Sequence, residues 1–207
     1  MPENLHKLFV ISSPSGGGKT SLINKVFEDS RSANFEKSIS DTSRQKRQGD
    51  LEGKDYYFLS EKDFKEKIKK EEYVEYATVF GNFYGTSKNE IKTKYNNSNL
   101  VLELDWQGAY AVKKLFDDAK LIFIVPPSLD DLKHRLIKRN LDSSESIENR
   151  LSEAKKEISK SEMFDFLVLN DDFDRAFEDL SQILFKGISS KDFNSRVSKD
   201  LIERLVE

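Results

Sequence analysis

Ser13-Pro14-Ser15-Gly16-Gly17-Gly18-Lys19-Thr20 lies between an apolar run, Leu8-Phe9-Val10-Ile11, and apolar positions at helical spacing, Leu22, Ile23, Val26 and Phe27. Strand, glycine loop, Lys-Thr and helix, in that order, is the context that a phosphate-binding loop requires. Glycines let the backbone curl so that successive N–H groups face phosphate oxygens. The positive end of the helix that follows adds to the attraction. Lys19 has the reach for β and γ phosphates, and the Thr20 hydroxyl can be offered to Mg²⁺. One position departs from the usual pattern: Ser13 stands where the first glycine belongs. Ser is small, and three glycines remain.

The other apolar runs fit the same architecture. Leu100–Leu104, Leu121–Val125 and Phe166–Leu169 read as buried strands. Helical patterns cover 20–28, 129–139 and 145–158, and a fourth carries Phe173, Ala176, Phe177, Leu180 and Leu184. Strands alternating with helices imply an α/β fold, a parallel sheet covered on both faces. Residues 36–90 break the rhythm. Strand-like pieces at Tyr56–Leu59 and Tyr73–Thr78 flank a short helix with Phe64 and Ile68, punctuated by Gly49, Gly53, Gly81 and Gly85. This predicts a mixed α/β subdomain inserted into the core. The core then comprises 1–35, 91–125 and 161–187. Residues 126–160 open on Pro126-Pro127, are rich in charge and helix formers, and suit a mobile helical lid. The tail, 188–207, has Val197, Leu201, Ile202 and Leu205 at helical spacing, which predicts an amphipathic helix used for packing or for a homo-oligomer contact.

Composition sets outer limits. The 207 residues suffice for one α/β domain with a sizeable core, and 34% of them are charged. No apolar run approaches the roughly 20 residues that span a bilayer, so no membrane role is expected. The N-terminus, Met-Pro-Glu-Asn, does not read as a secretory signal, and the chain has no Cys to form disulfides or thiolate zinc sites. Together these favour the cytoplasm. A net charge of −3 and an isoelectric point of about 5.6 argue against broad nucleic-acid binding. Only two His are present, His6 and His134, and neither suggests a metal ligand or a general base.

Further candidates lie along the insertion. Arg44 and Arg47 are three apart in Thr42-Ser43-Arg44-Gln45-Lys46-Arg47-Gln48-Gly49-Asp50, and Tyr56 follows in Gly53-Lys54-Asp55-Tyr56. Two guanidinium groups and a phenol in such a loop suit a second phosphate, although a solvated basic run would look the same. Leu100–Asp105 is an apolar strand ending in acids, so Glu103 or Asp105 can support Mg²⁺ through water or contact a nucleotide.

Taken in order, these segments resemble a guanylate kinase of the bacterial type. The resemblance rests on Pro14 to Thr20, Ser40 to Asp50 and Gly53-Lys54-Asp55-Tyr56. It continues through Gly81-Asn82-Phe83-Tyr84-Gly85-Thr86-Ser87, Leu104-Asp105-Trp106-Gln107-Gly108, Pro126-Pro127-Ser128 and Asn170-Asp171-Asp172-Phe173. It covers residues 7 to 187 or so. It implies ATP and GMP as substrates, with dGMP a second acceptor to be tested, Mg²⁺ as cofactor, and phosphoryl transfer between the two nucleotides. It also implies that 36–90 bind GMP, with Ser40, Arg44, Arg47, Tyr56, Glu75, Tyr84 and Thr86 lining the site, beside Glu103 and Asp105. Guanine offers N1–H and an amino group as adjacent donors, which one carboxylate such as Glu75 can accept. The ATP side would comprise Ser13 to Thr20, Arg135 and Asn170. Arg139 and Arg150 would neutralise the transferring phosphoryl group with Lys19 and Arg44. Four positions depart from the family pattern: Ser43 replaces a common Thr, Lys46 a usual Pro, Asp50 a usual Glu and Glu103 a frequent Asp. Two rival readings are a related module that only binds protein partners, which often lacks the loop lysine, and another P-loop phosphotransferase.

Overall fold

The computed structural model describes residues 6–79, 81–138 and 144–207. Its first sheet joins five strands: β1 (Leu8–Ser12), β2 (Phe35–Lys37), β7 (Asn99–Glu103), β8 (Lys120–Val125) and β9 (Phe166–Leu169). Their order is β2-β7-β1-β8-β9 and every pairing is parallel. The phosphate-loop strand is therefore central, as the run Leu8–Ile11 predicts, with all of its side chains buried. β2 is the strand that the sequence does not announce. Its three residues pair with β7 across the expected core boundary at residue 35, and the chain enters the second sheet only after Lys37.

Alternation along each strand divides the core in two. Leu8, Val10, Leu100, Leu102, Leu121, Phe123 and Val125 face one layer. Phe9, Ile11, Val101, Ile122, Ile124, Phe166 and Val168 face the other. The first layer is closed by α3 (Lys88–Tyr95), α4 (Trp106–Leu115), α6 (Ser144–Ile158) and α8 (Lys199–Val206), through Ile91, Ala109, Val112, Ile158 and Leu205. The second is closed by α1 (Lys19–Glu28) and α7 (Phe173–Leu184), through Leu22, Ile23, Val26, Ala176, Leu180 and Ile183. A strand buried on both faces has no polar positions to alternate, which is why these runs read as uninterrupted apolar stretches.

The second sheet holds β3 (Asp41–Thr42), β4 (Tyr57–Phe58), β5 (Tyr73–Val79) and β6 (Asn82–Ser87), in the order β4-β3-β6-β5. β5 and β6 form an antiparallel hairpin around Gly81 that sets Glu75 opposite Thr86. Helix α2 (Glu61–Lys69), capped by Ser60, lays Phe64 against Tyr73 and Phe83. Beneath it the buried Asp41 carboxylate accepts from the Tyr73 hydroxyl at 2.8 Å and from Lys67. α5 (Leu129–Lys138) follows β8 and packs on α6.

The tail forms the expected amphipathic helix, and the chain's own core takes up its stripe. Leu205 is 2% exposed, and Val197, Leu201, Ile202 and Val206 pack against the layer that contains Ile158 and Phe164. Of the two expected uses, packing or a homo-oligomer contact, the structure shows packing: the stripe joins the chain's own core. Leu205→Ala should cost about 2–5 kcal/mol, the usual range for truncating a buried leucine. Urea unfolding followed by circular dichroism measures it. A loss under about 0.5 kcal/mol, as for an ordinary surface substitution, would show that the tail is only appended.

Candidate active site

The phosphate loop is built as its sequence predicts. Gly16 and Gly18 have φ of 86° and 94°, in the left-handed region where side chains are strained. Among the described residues Glu71 is the one non-glycine with positive φ, so Ser13 needs no glycine at the loop's start. Gly17 N–H donates to the Pro14 carbonyl at 2.8 Å and tightens the turn. Helix α1 starts on Gly18 without a side-chain cap. By contrast, Ser60, Ser87, Asp105, Asp172 and Ser198 each cap the helix that follows them. The first N–H groups of α1 thus have no side chain competing for them, which suits an anion.

Around this loop the fold gathers charge. Lys19 Nζ donates to the Leu104 carbonyl at 3.0 Å. Burial pushes its ammonium pKa down, against the pull of Glu103, Glu157 and Asp105. Thr20 Oγ1 donates to Glu103, whose other oxygen accepts from Lys37 Nζ at 2.7 Å. Burial alone would raise the Glu103 pKa, but Lys37 and Lys19 outweigh it and hold the carboxyl below its ordinary value. Asp105 caps α4 by accepting from Gly108 N at 2.8 Å.

The guanidinium of Arg44 lies over the rings of Tyr56 and Phe58, at 5.5 and 5.6 Å, and pairs with Asp50 at 2.9 Å. The same Asp50 oxygen accepts from the Arg47 backbone at 2.8 Å. The shorter acid at this position therefore still orders the arginine loop. Lys46 extends over Phe58 at 5.9 Å. Ser43 keeps its hydroxyl in use, accepting from Phe83 N at 2.8 Å. Tyr56 and Tyr84 meet edge to face at 5.7 Å. Ser40 precedes β3, and its carbonyl accepts from Tyr57 N at 3.0 Å.

Glu75 connects the two sheets. It accepts from the Thr86 hydroxyl at 2.6 Å across the hairpin. Its pKa is raised by burial and by Asp105, and lowered by Thr86 and Lys19, so all of these lie within electrostatic reach. It lines a cleft with Tyr73, Asp105, Gln107 and Gly108. A Cβ on Gly108 would come within 3.0 Å of Glu75 Cγ, which explains the glycine in Asp105-Trp106-Gln107-Gly108.

On the opposite side, buried Asn170 holds the loop from below. Its Nδ2 donates to the Gly17 carbonyl at 2.8 Å, and its own carbonyl accepts from Arg135 at 2.9 Å. A Cβ on Gly18 would lie 2.3 Å from that Nδ2, so Gly18 is required by contact as well as by φ. Gly16, Gly18, Arg135, Lys138, Asn170 and Phe173 line a second cleft here. Arg150 is on α6. Arg139 falls outside the described residues.

Two groups escape the sequence reading. Lys37 comes to the site on β2, a strand too short to show periodicity. Glu157, in the last turn of α6, reads as one charge among many on a helix surface. Yet its carboxylate faces the Ser15 N–H, Lys19 and Asp105, and burial pushes its pKa up to about 7. Its Oε2 is buried without a hydrogen-bond partner. A carboxyl whose folded pKa lies above its ordinary 4.5 favours the folded state when protonated, and that contribution fades as pH rises through 7. Melting temperatures of the ligand-free protein should therefore fall between pH 5.5 and 8.5, and fall less in Glu157→Gln. Equal slopes in the two proteins would refute the burial.

Residues 5–187 match the model of the guanylate kinase family. A guanylate kinase from the Wolbachia of Brugia malayi is 44% identical over 186 residues, 89% of this chain and 94% of its own. One from Hydrogenovibrio crunogenus is 47% identical over 178 residues, 85% of each chain. The crystal structure of guanylate kinase from Anaplasma phagocytophilum superimposes with a TM-score of 0.69 at 32% identity, covering 97% of this chain and 95% of that one. The match of the family model over residues 5–187, the relatives' identity along most of the chain and the shared fold make this protein a member of the guanylate kinase family.

Proposed function

We propose that the protein is a cytoplasmic guanylate kinase that transfers the γ-phosphoryl group of ATP reversibly to GMP. One observation carries the choice of acceptor: the Glu75 carboxylate, paired with the Thr86 hydroxyl, lines a cleft with Asp105 and lies within electrostatic reach of Lys19. A carboxylate there meets the N1–H and amino donors of guanine, whereas adenine would set a lone pair against it. The Thr86 and Ser40 hydroxyls serve the remaining edge. Arg44, Arg47, Tyr56 and Tyr84 take the acceptor phosphate, and Arg44 is already aligned by Asp50 and the two rings.

The donor's phosphates lie on the loop 13–20 and its base side in the cleft at Arg135 and Asn170. A phosphate oxygen of GMP attacks the γ-phosphorus in line, and no covalent enzyme intermediate is needed. Lys19 stabilises the transferred group, helped by Arg150 and Arg139 from the lid, read as 126–160, while Arg44 and Arg47 hold the acceptor. The acceptor subdomain is read as 36–90.

Mg²⁺ fits the oxygen donors at the head of α1. The Thr20 hydroxyl and the Glu103 carboxylate are side by side, and Glu103 is held ionised. Among the described residues no group of three or more His, Cys, Asp or Glu side chains could hold a metal ion; an ion here would be bound largely through substrate phosphates. Such an ion would neutralise phosphate charge. Asp105 would reach it through water. Among the described residues no helix is long and apolar enough to cross a membrane. The tail's apolar stripe, read as serving packing or a homo-oligomer contact, packs on the chain's own core.

Lys19→Met should lower turnover on the order of 10³-fold or more, because a buried charge beside the transferring group is lost. Near-normal GMP-dependent ADP formation by a folded variant would overturn the loop assignment. Glu75→Gln should lower kcat/KM for GMP about 30- to 800-fold, equivalent to roughly 2–4 kcal/mol, since the amide sets a donor against guanine's donors. Separate titrations of GMP and a non-hydrolysable ATP analogue check it. Weaker GMP with unchanged ATP analogue is expected, and equal GMP affinity in both proteins would move guanine recognition elsewhere.

A further inference from the structure

The family match ends at residue 187, but the chain continues and returns to the donor side of the site. The Arg196 guanidinium makes four hydrogen bonds there. Nη2 donates to the Leu169 carbonyl at 2.8 Å and to Asp179 at 3.0 Å. Nε donates to the same Asp179 oxygen at 3.1 Å, and Nη1 to Asp171 Oδ1 at 2.6 Å. The neighbouring Ser195 hydroxyl adds a bond to the Leu167 carbonyl at 2.7 Å. One planar group thus grips the residues on both sides of Asn170, together with helix α7 through Asp179. A rigid fork of donors is the side chain suited to that task.

Asn170 is 5% exposed, and its backbone N–H, backbone carbonyl and side-chain amide nitrogen are all engaged. Its N–H donates to the Val125 carbonyl at 2.9 Å, its amide nitrogen to Gly17, and its carbonyl receives Arg135. Its position therefore sets both the underside of the phosphate loop and the placement of Arg135. The Asp171 carboxyl, which burial alone would make a weaker acid, is held below its ordinary pKa chiefly by Arg196.

We propose that Arg196 is a positioning residue for the donor nucleotide: from the tail it fixes the turn 169–171, and through Asn170 it holds the phosphate loop and Arg135 in register. It touches no substrate itself. The proposal rests on the reading above that the cleft of Gly16, Gly18, Arg135 and Asn170 takes the donor.

The test uses the full-length protein and measures the Kd of a non-hydrolysable ATP analogue and of GMP separately. Arg196→Gln should weaken the ATP analogue about tenfold, within the range by which residues outside a site modulate it, and leave GMP within about twofold. Leu205→Ala is the control for loosening alone, because it loosens the tail but leaves the guanidinium in place. It should lower the melting temperature while moving neither Kd. Asp171→Asn removes the charged arm on the turn and should weaken the ATP analogue selectively by a smaller factor. It stands in should Arg196→Gln fail to fold. Equal weakening of both ligands, no weakening of either, or a Leu205→Ala effect on the ATP analogue as large as that of Arg196→Gln would overturn the proposal. Wild-type protein that binds no ATP analogue would instead overturn the reading of the cleft.

Discussion

The site is organised around one half-buried ammonium group whose charge the surrounding protein disfavours. Lys19 is set at the mouth of a parallel sheet by the helix it begins, and burial works against its charge. An isolated buried charge would be far too costly to keep, so the surroundings must supply compensation. They do so unevenly. The Leu104 carbonyl takes the one hydrogen bond described for Nζ, and Glu103, Glu157 and Asp105 act on it through the field. Burial, with repulsion from Asp105 added, raises the pKa values of Glu157 and Glu75. Incoming phosphate and its counter-ion would redistribute this charge, so ligand binding and local electrostatics are one problem here.

The arrangement also links elements that are distant in sequence. Glu103 ends β7, Asp105 caps α4, Glu157 lies in the last turn of α6 and Glu75 comes from the second sheet. Asn170, after β9, props the loop from beneath, and Arg196 braces Asn170's neighbours from the tail. Parallel strands put all their C-terminal ends on one edge, and this is where ligands collect in open α/β sheets. A change at any of these positions is therefore expected to reach the loop, while the two apolar layers that hold the sheet remain intact.

Much of this was legible in the chain. Four of the five core strands are apolar runs because both faces are buried, and such runs cannot be disguised. The phosphate loop was legible because curled backbone demands glycine and phosphate demands Lys-Thr. Arg44 and Tyr56 suited a phosphate from their own segment, whereas Glu75 could be proposed only through the order of motifs along the whole chain, since by itself it reads as strand surface. What remained hidden depends on distance in space. β2 has three residues and no period. β6 was masked by glycines that read as turns, although Gly85 is a packing choice against Phe64 and Tyr73. Glu157, Lys37 and Arg196 are charges in charged neighbourhoods, and only the folded chain shows what they face. The tail's stripe was evident, but whether it served the core or a partner was not a property of its spacing.

The central claim is that a carboxylate–hydroxyl pair on the second sheet, within electrostatic reach of the phosphate-loop lysine, makes a guanine-selective phosphoryl transferase. Initial rates of ADP formation from ATP with GMP, AMP, UMP and dTMP at equal concentration, read through a coupled assay, test it most directly. The account requires ADP to form with GMP and to remain near background with the other three. Comparable rates with AMP, or ADP formed at the same rate without any acceptor, would contradict it.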